Sequence, residues 1–268
     1  MKNLLITMGI LFSVFSTSSV VAKEGFPGRA EYPEIPVYSK EQLADNFNKV
    51  LIVDARSALE FETLRIKGAV NLPVADRNFG KKIKTLSKQN GNKKIAFYCN
   101  GRSCFKSYKA AELAIKNGVK NVVAYDAGMF EWAQAYPAQA VLLGQSPVDT
   151  SKIISKSKLK SRFIDPKTFT ETVRSKPRKE VLVMDVRDMY QRAGVGYFPG
   201  LEKWVSLDDT KKLASYLDKA KANNKILYIY DEAGKQVRWL QYTLERENIK
   251  NYFFMAKGAK GFAQTFIN

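Results

Sequence analysis

Histidine is missing from all 268 residues of this chain. Its absence removes imidazole metal sites, Ser-His-Asp triads and Cys-His nucleophile pairs in one step. Any nucleophile must be activated by backbone dipoles and by Lys or Arg. Cysteine is nearly as scarce: Cys99 and Cys104 are the only two, and both stand in one short stretch, so no multi-bridge disulfide framework exists. Beyond residue 22 no apolar run approaches the length a helix needs to cross a bilayer. Acidic residues are outnumbered, 26 against 44 Lys and Arg, leaving a net charge of +18. The basic residues are spread along the chain rather than blocked. That spread describes a solvated, Lys-rich surface before it describes one that draws small anions or an acidic partner, and it gives no tract suited to nucleic acid.

The first residues have the make-up of an export signal. Lys2 is a short positive region, Leu4 to Phe15 an apolar core too short to span a membrane, and Val20-Val21-Ala22 a cleavage site before Lys23. The expectation is a signal peptide over 1–22 and a mature protein, periplasmic or secreted, with no membrane attachment after cleavage. In an oxidising compartment two cysteines usually mean one disulfide. Here they lie five residues apart, and a bridge closing so small a ring stabilises little through the unfolded state. A reactive or redox-switchable pair is the better account.

The stretch from Lys93 to Ala111 organises the chain. Ile95 to Tyr98 is a short apolar run, as in a parallel strand covered on both faces. Asn100-Gly101 breaks it, and from Lys106 onward Tyr108, Ala111, Leu113, Ala114 and Ile115 fall at helical spacing. Cys99 therefore ends a strand, its loop feeds a helix N-terminus, and Arg102 and Lys106 flank it. Amide N–H groups and cations together make an anion site beside a thiol and favour the thiolate.

This stretch resembles the active-site loop of the rhodanese sulfurtransferase family, in which a cysteine ends the central strand and a basic residue followed by Ser or Thr closes the loop. Lys106-Ser107 would be the closing pair. The family loop has four residues between cysteine and basic residue, whereas six, Asn100 to Phe105, stand here. Cys104 is thus a competing nucleophile. Upstream, Asp54-Ala55-Arg56, Glu60-Phe61 and Gly68 to Pro73 match further family signatures in the family's order, with Arg65-Ile66-Lys67 where a His usually stands. Downstream, Ala127 to Trp132 resembles its glycine turn and closing aromatic helix.

The pattern then repeats. Val181 to Arg187 parallels Val50 to Arg56, Lys225 to Asp231 parallels Lys93 to Cys99, and Gly258 parallels Gly128. The expected fold is α/β: two tandem rhodanese-like domains, each a central parallel sheet with helices on both faces. Their expected spans are 30–140, carrying the Cys99/Cys104 loop, and 162–268, joined by a Lys/Ser-rich linker over 141–161. Residues 23–38, rich in Pro and Gly, read as an extended lead-in. In the second copy Asp231 stands at the cysteine position. A carboxylate there repels anionic donors and forms no persulfide, so that copy should be catalytically silent.

The resemblance implies a sulfurtransferase. Sulfane sulfur would pass from a small anionic donor such as thiosulfate, through a cysteine persulfide, to a thiol, cyanide or protein acceptor, with no cofactor and no metal. Cys99 would be the nucleophile by its place at the strand end and Cys104 a resolving or protective thiol. Arg102, Lys106, Ser107 and Arg56 would bind the donor. The rival reading is a non-enzymatic sulfur carrier or interaction module of the same fold. A phosphatase reading has little support, because Phe105 stands six residues after Cys99, where that chemistry needs Arg.

Overall fold

The computed structural model describes residues 25–192, 196–207 and 209–267. The expected export segment, 1–22, lies outside them. In the first half the elements run α1 (Gly28–Glu31), β1 (Val37–Tyr38), α2 (Lys40–Asp45), β2 (Leu51–Asp54), α3 (Ala58–Thr63), β3 (Leu64–Ile66), β4 (Val70–Asn71), α4 (Phe79–Gln89), β5 (Ile95–Tyr98), α5 (Lys106–Lys116), β6 (Val122–Tyr125), α6 (Gly128–Ala135) and β7 (Ala140–Leu142). The second half runs α7 (Lys156–Lys160), β8 (Phe163–Ile164), α8 (Pro166–Ser175), β9 (Val181–Asp185), α9 (Met189–Arg192), β10 (Glu202–Trp204), α10 (Thr210–Ala222), β11 (Ile226–Tyr230), α11 (Val237–Arg246), β12 (Tyr252–Met255) and α12 (Gly258–Phe266).

Two five-stranded parallel sheets result, ordered β1-β6-β5-β2-β4 and β8-β12-β11-β9-β10. The order is the same in both, so the repeat seen in the sequence is a repeat of topology. Strands β2, β5 and β6 are buried at every position because helices cover both faces. Their side chains alternate between two cores: Leu51 and Val53 enter one layer, and Ile52 enters the other. Each fully buried Phe or Leu in these layers contributes about 1.5–3 kcal/mol. The cysteine loop leaves the carboxyl end of β5, where open parallel sheets place their sites.

Two expectations change. The lead-in is not a loose extended tail. Gly28 is buried against the ring of Tyr108, Arg29 donates to Asp126 at 2.8 Å, and Tyr32 stacks on Tyr108 at 5.5 Å between centroids. Strand β1 then pairs with β6. The segment 141–161 is likewise docked rather than free. Strand β7 pairs antiparallel with β3, and Val148 and Ile154 are buried. The Ile154 amide donates to the Tyr242 hydroxyl at 3.0 Å, tying this segment to α11. Aromatic contacts hold the halves together: Phe130 stacks on Trp239 at 5.4 Å and the Arg238 guanidinium lies 3.7 Å from the Phe130 centroid.

Candidate active site

Strand β5, at the centre of its sheet, carries Cys99 to the carboxyl end of the strands and leaves it fully buried. Its sulfur lies 3.1 Å from the Cys104 carbonyl oxygen, to which the thiol donates, and 3.6 Å from the Ser107 hydroxyl. The loop folds back on itself through a 2.8 Å bond from the Cys104 amide to the Gly101 carbonyl. Cys104 thereby stands just before α5, at its N-terminal end, half-buried. Gly128, at φ +79°, presses against the backbone of Asn100 and Gly101. A Cβ there would displace the loop, so glycine is required.

The two thiols sit in opposite electrostatic settings. Burial pushes the Cys99 thiol well above its ordinary value, and its neighbour Cys104 adds to that. Cys104 is drawn down to about 6, first by the neighbouring Cys99 side chain, then, against the opposing effect of burial, by the amides of Lys106 and Asn100. Of the two sulfurs, Cys104 is therefore the more readily ionised. Because the thiolate is stabilised, alkylation of Cys104 by iodoacetamide should rise through pH ~6 and level off well before an ordinary cysteine would, near pH ~8.5. Cys99→Ala removes the first cause, so the midpoint should move upward. A profile unmoved in that variant would show that the loop amides act alone.

A polar chain supports the loop from beneath. Arg56, fully buried, donates to Asp54 at 2.6 Å, to the Leu64 carbonyl at 2.6 Å and to Asn100 Oδ1 at 3.1 Å. Asn100 Nδ2 donates to Glu60 at 2.6 Å, and Lys106 Nζ pairs with the other Glu60 oxygen at 3.3 Å. Burial pushes the Glu60 carboxyl up, but Lys106, Arg56 and Asn100 together hold it below its ordinary value. Glu60 is itself held by a reciprocal cap with Ser57 at the start of α3.

Of the expected site residues, Cys99, Cys104, Lys106 and Ser107 are gathered at the loop. Arg56 and Arg102 stand elsewhere. Arg56 is sealed beneath the loop by Asp54. Arg102 turns outward, where Glu131 takes its guanidinium at 2.5 Å and Phe26 stacks on it at 4.5 Å. Neither lines the cavity above Cys104. That cavity, about 760 Å³, lies between the halves: Cys104, Phe105, Lys106 and Lys109 face Asp231, Arg238 and Trp239. The second-half residues are an addition to the expected site. Nothing in the sequence says which face of one half meets the other.

The second half shows the same cradle already filled. Asp231 is buried, and its carboxylate accepts the amides of Ala233 and Val237 at 3.0 Å, of Gln236 at 2.5 Å, and of Gly234. Gly258, with positive φ, presses on this loop as Gly128 does on the first.

The first half is thus a parallel α/β unit with two cysteines in the loop after its central strand, Cys99 at the strand end and Cys104 just before α5. Residues 39–135, less than half of the chain, match the family model described as a rhodanese-like domain. An HTH-type transcriptional regulator of Mycobacterium tuberculosis (strain ATCC 25618 / H37Rv) is 32% identical over 87 residues, which are 32% of this chain and 36% of that protein. The chain thus spans about a third of that curated relative's length. Among solved structures, a thiosulfate sulfurtransferase from Pseudomonas aeruginosa aligns over 86% of this chain and 42% of its own, with 14% identity and a TM-score of 0.40. A single domain sulfurtransferase from Saccharomyces cerevisiae aligns over 38% of this chain and 91% of its own, with 22% identity and a TM-score of 0.32.

Proposed function

We propose that the chain is a sulfurtransferase whose persulfide forms on Cys104, in a mature protein exported after cleavage of residues 1–22. The observation that carries this reading is the half-buried Cys104 at the start of α5, which lines the cavity beside Lys106. With thiosulfate as donor, the Cys104 thiolate attacks the outer sulfur. A new S–S bond forms, the bond to the sulfonate sulfur breaks, and sulfite leaves with the electron pair. Lys106 and the loop amides stabilise the anion as it forms. An acceptor such as cyanide or a thiolate then attacks the outer sulfur of the persulfide and releases Cys104 as thiolate. Cys99, beneath it, is placed to donate a hydrogen bond to that leaving thiolate, or to resolve the persulfide by forming a Cys99–Cys104 bridge with loss of hydrosulfide.

The rival binding-module reading is favoured by a specific observation only in the second half, where Asp231 occupies the cradle and leaves no nucleophile. The test is the intact mass of the reduced protein after thiosulfate. A gain of one sulfur atom, removed by cyanide with release of thiocyanate, is expected; an unchanged mass would leave the chain a binding module.

A further inference from the structure

The cysteine loop is gripped from outside the sheet by the segment that precedes β1. Gly128 backs the loop at Asn100 and Gly101, and α5 begins at Lys106. Between these anchors Arg102 and Ser103 stand exposed, and Cys104 follows them. The Arg102 guanidinium lies 4.5 Å from the centre of the Phe26 ring, and the Arg29 guanidinium lies 4.1 Å from the centre of the same ring. Arg29 donates in turn to Asp126 at 2.8 Å, and the Tyr108 hydroxyl donates to that carboxylate at 2.5 Å. Asp126 is buried and directly follows β6. The Phe26 ring therefore joins the exposed arm of the loop to the end of the sheet. Further along the segment, Tyr32 meets Phe105 at 6.4 Å between ring centres and stacks on Tyr108 at 5.5 Å. One short segment thus touches the loop on both sides of Cys104, at Arg102 before it and at Phe105 after it.

An exposed ion pair such as Arg102–Glu131 holds little by itself, because water competes for both partners. A ring against the guanidinium adds attraction and shields the pair from water. Glu131 takes Nε and Nη2 of Arg102 while Phe26 lies against the same group, so the two together fix its direction. Pro27 and Pro33 restrict the backbone of the segment and lower the entropy lost in ordering it. A segment that only covered the sheet would bury its ring; the Phe26 ring stays half-buried and holds two guanidinium groups.

We propose that Phe26 is a positioning residue for Cys104: held on Arg29, its ring fixes Arg102 and with it the arm of the loop that sets where the Cys104 sulfur stands. The inference rests on the sulfurtransferase reading for its effect on turnover, and on the loop contacts alone for the tie. Phe26 does not line the cavity beside Cys104. It acts through the loop, whose amides at Asn100 and Lys106 favour the Cys104 thiolate while the arm keeps its shape. Loosening the arm leaves the sulfur open to the cavity and weakens the hold of those amides on its charge.

The reduced full chain is alkylated with iodoacetamide from pH ~5 to pH ~9, and Cys99 and Cys104 are followed separately by peptide mass. In Phe26→Ala the Cys104 midpoint should move up by about one pH unit, the size of one cation–ring contact, with the rate at high pH within about twofold of wild type and Cys99 still unreacted. Phe26→Tyr should keep the wild-type midpoint. Phe26→Leu, which retains bulk, should show the shift and covers the case in which the alanine variant does not fold. In an Arg102→Gln background Phe26→Ala should move the midpoint less than about half as far, because the tie is already cut. A midpoint unmoved by loss of the ring, a full shift in the Arg102→Gln background, or Cys99 and Cys104 reacting together overturns the proposal. In a second arm, thiosulfate loading of Phe26→Ala should fall about fivefold at pH ~6 and less than about twofold at pH ~9. If thiosulfate loads no sulfur on the wild type while the alkylation midpoint still moves, the transferase reading fails and the tie stands. Normal loading with an unmoved midpoint overturns the tie alone.

Discussion

Replacing Cys104 by serine should abolish sulfur uptake from thiosulfate, a loss of at least about a thousandfold, or ~4 kcal/mol of barrier. Cys99→Ser should retain a tenth or more of the wild-type rate. The asymmetry follows from where each sulfur lies. Cys99 has no exposed surface, and ionising it would bury a charge beneath the loop. Cys104 is reached from the cavity, and the neighbouring Cys99 side chain and the Lys106 and Asn100 amides favour its thiolate. A hydroxyl at position 99 can still donate to that thiolate, so part of the activation should survive. Mapping the added sulfur by peptide mass in each variant decides the matter. Sulfur on Cys99 in the Cys104→Ser protein, at the wild-type rate, would reverse the assignment.

A second large effect is expected at Arg56, on stability. Arg56→Met should cost about 3–5 kcal/mol in urea unfolding, because removing one partner of a buried pair leaves the other charge uncompensated. Asp54 has no exposure, and the Leu64 carbonyl and Asn100 would lose their donor in the same step. The second half repeats the clamp: Arg187 donates to Asp185 at 2.8 Å, and there too the arginine amide bonds the aspartate two residues back. A pair kept where the cysteine is absent serves the sheet edge. Were Arg56 a donor-binding residue, as the sequence suggested, the variant would keep its stability and raise KM for thiosulfate instead.

Much of the fold was legible because buried parallel strands announce themselves. Leu51–Asp54, Ile95–Tyr98 and Val122–Tyr125 are apolar runs with turn chemistry at their ends, and the second half repeats them in order. The lead-in was misread because Pro and Gly mark turns wherever they stand. Nothing local shows that Gly28 is small to admit the Tyr108 ring. Within the site, the strand, loop and helix were readable, and with them the cluster of Cys99, Cys104, Lys106 and Ser107. Which sulfur occupies the cradle was not. It depends on how a loop of six residues folds back, a matter of a few backbone hydrogen bonds with no compositional trace. Arg102 follows the same logic: its basic character was plain, but Glu131, twenty-nine positions on, decides where it points. The place of Arg238 against Phe130 lay wholly out of reach, since it depends on the packing of one half against the other.

The carboxylate of Asp231 among its four amides has one further consequence. A cradle that awaits a ligand spends part of its time without one, its amides solvated and its loop free to sample other shapes. The Asp231 loop carries its anion on its own side chain, at an effective concentration no diffusing anion can match. The entropy of ordering that wall of the cavity is therefore lost once, during folding, and not again each time a ligand enters.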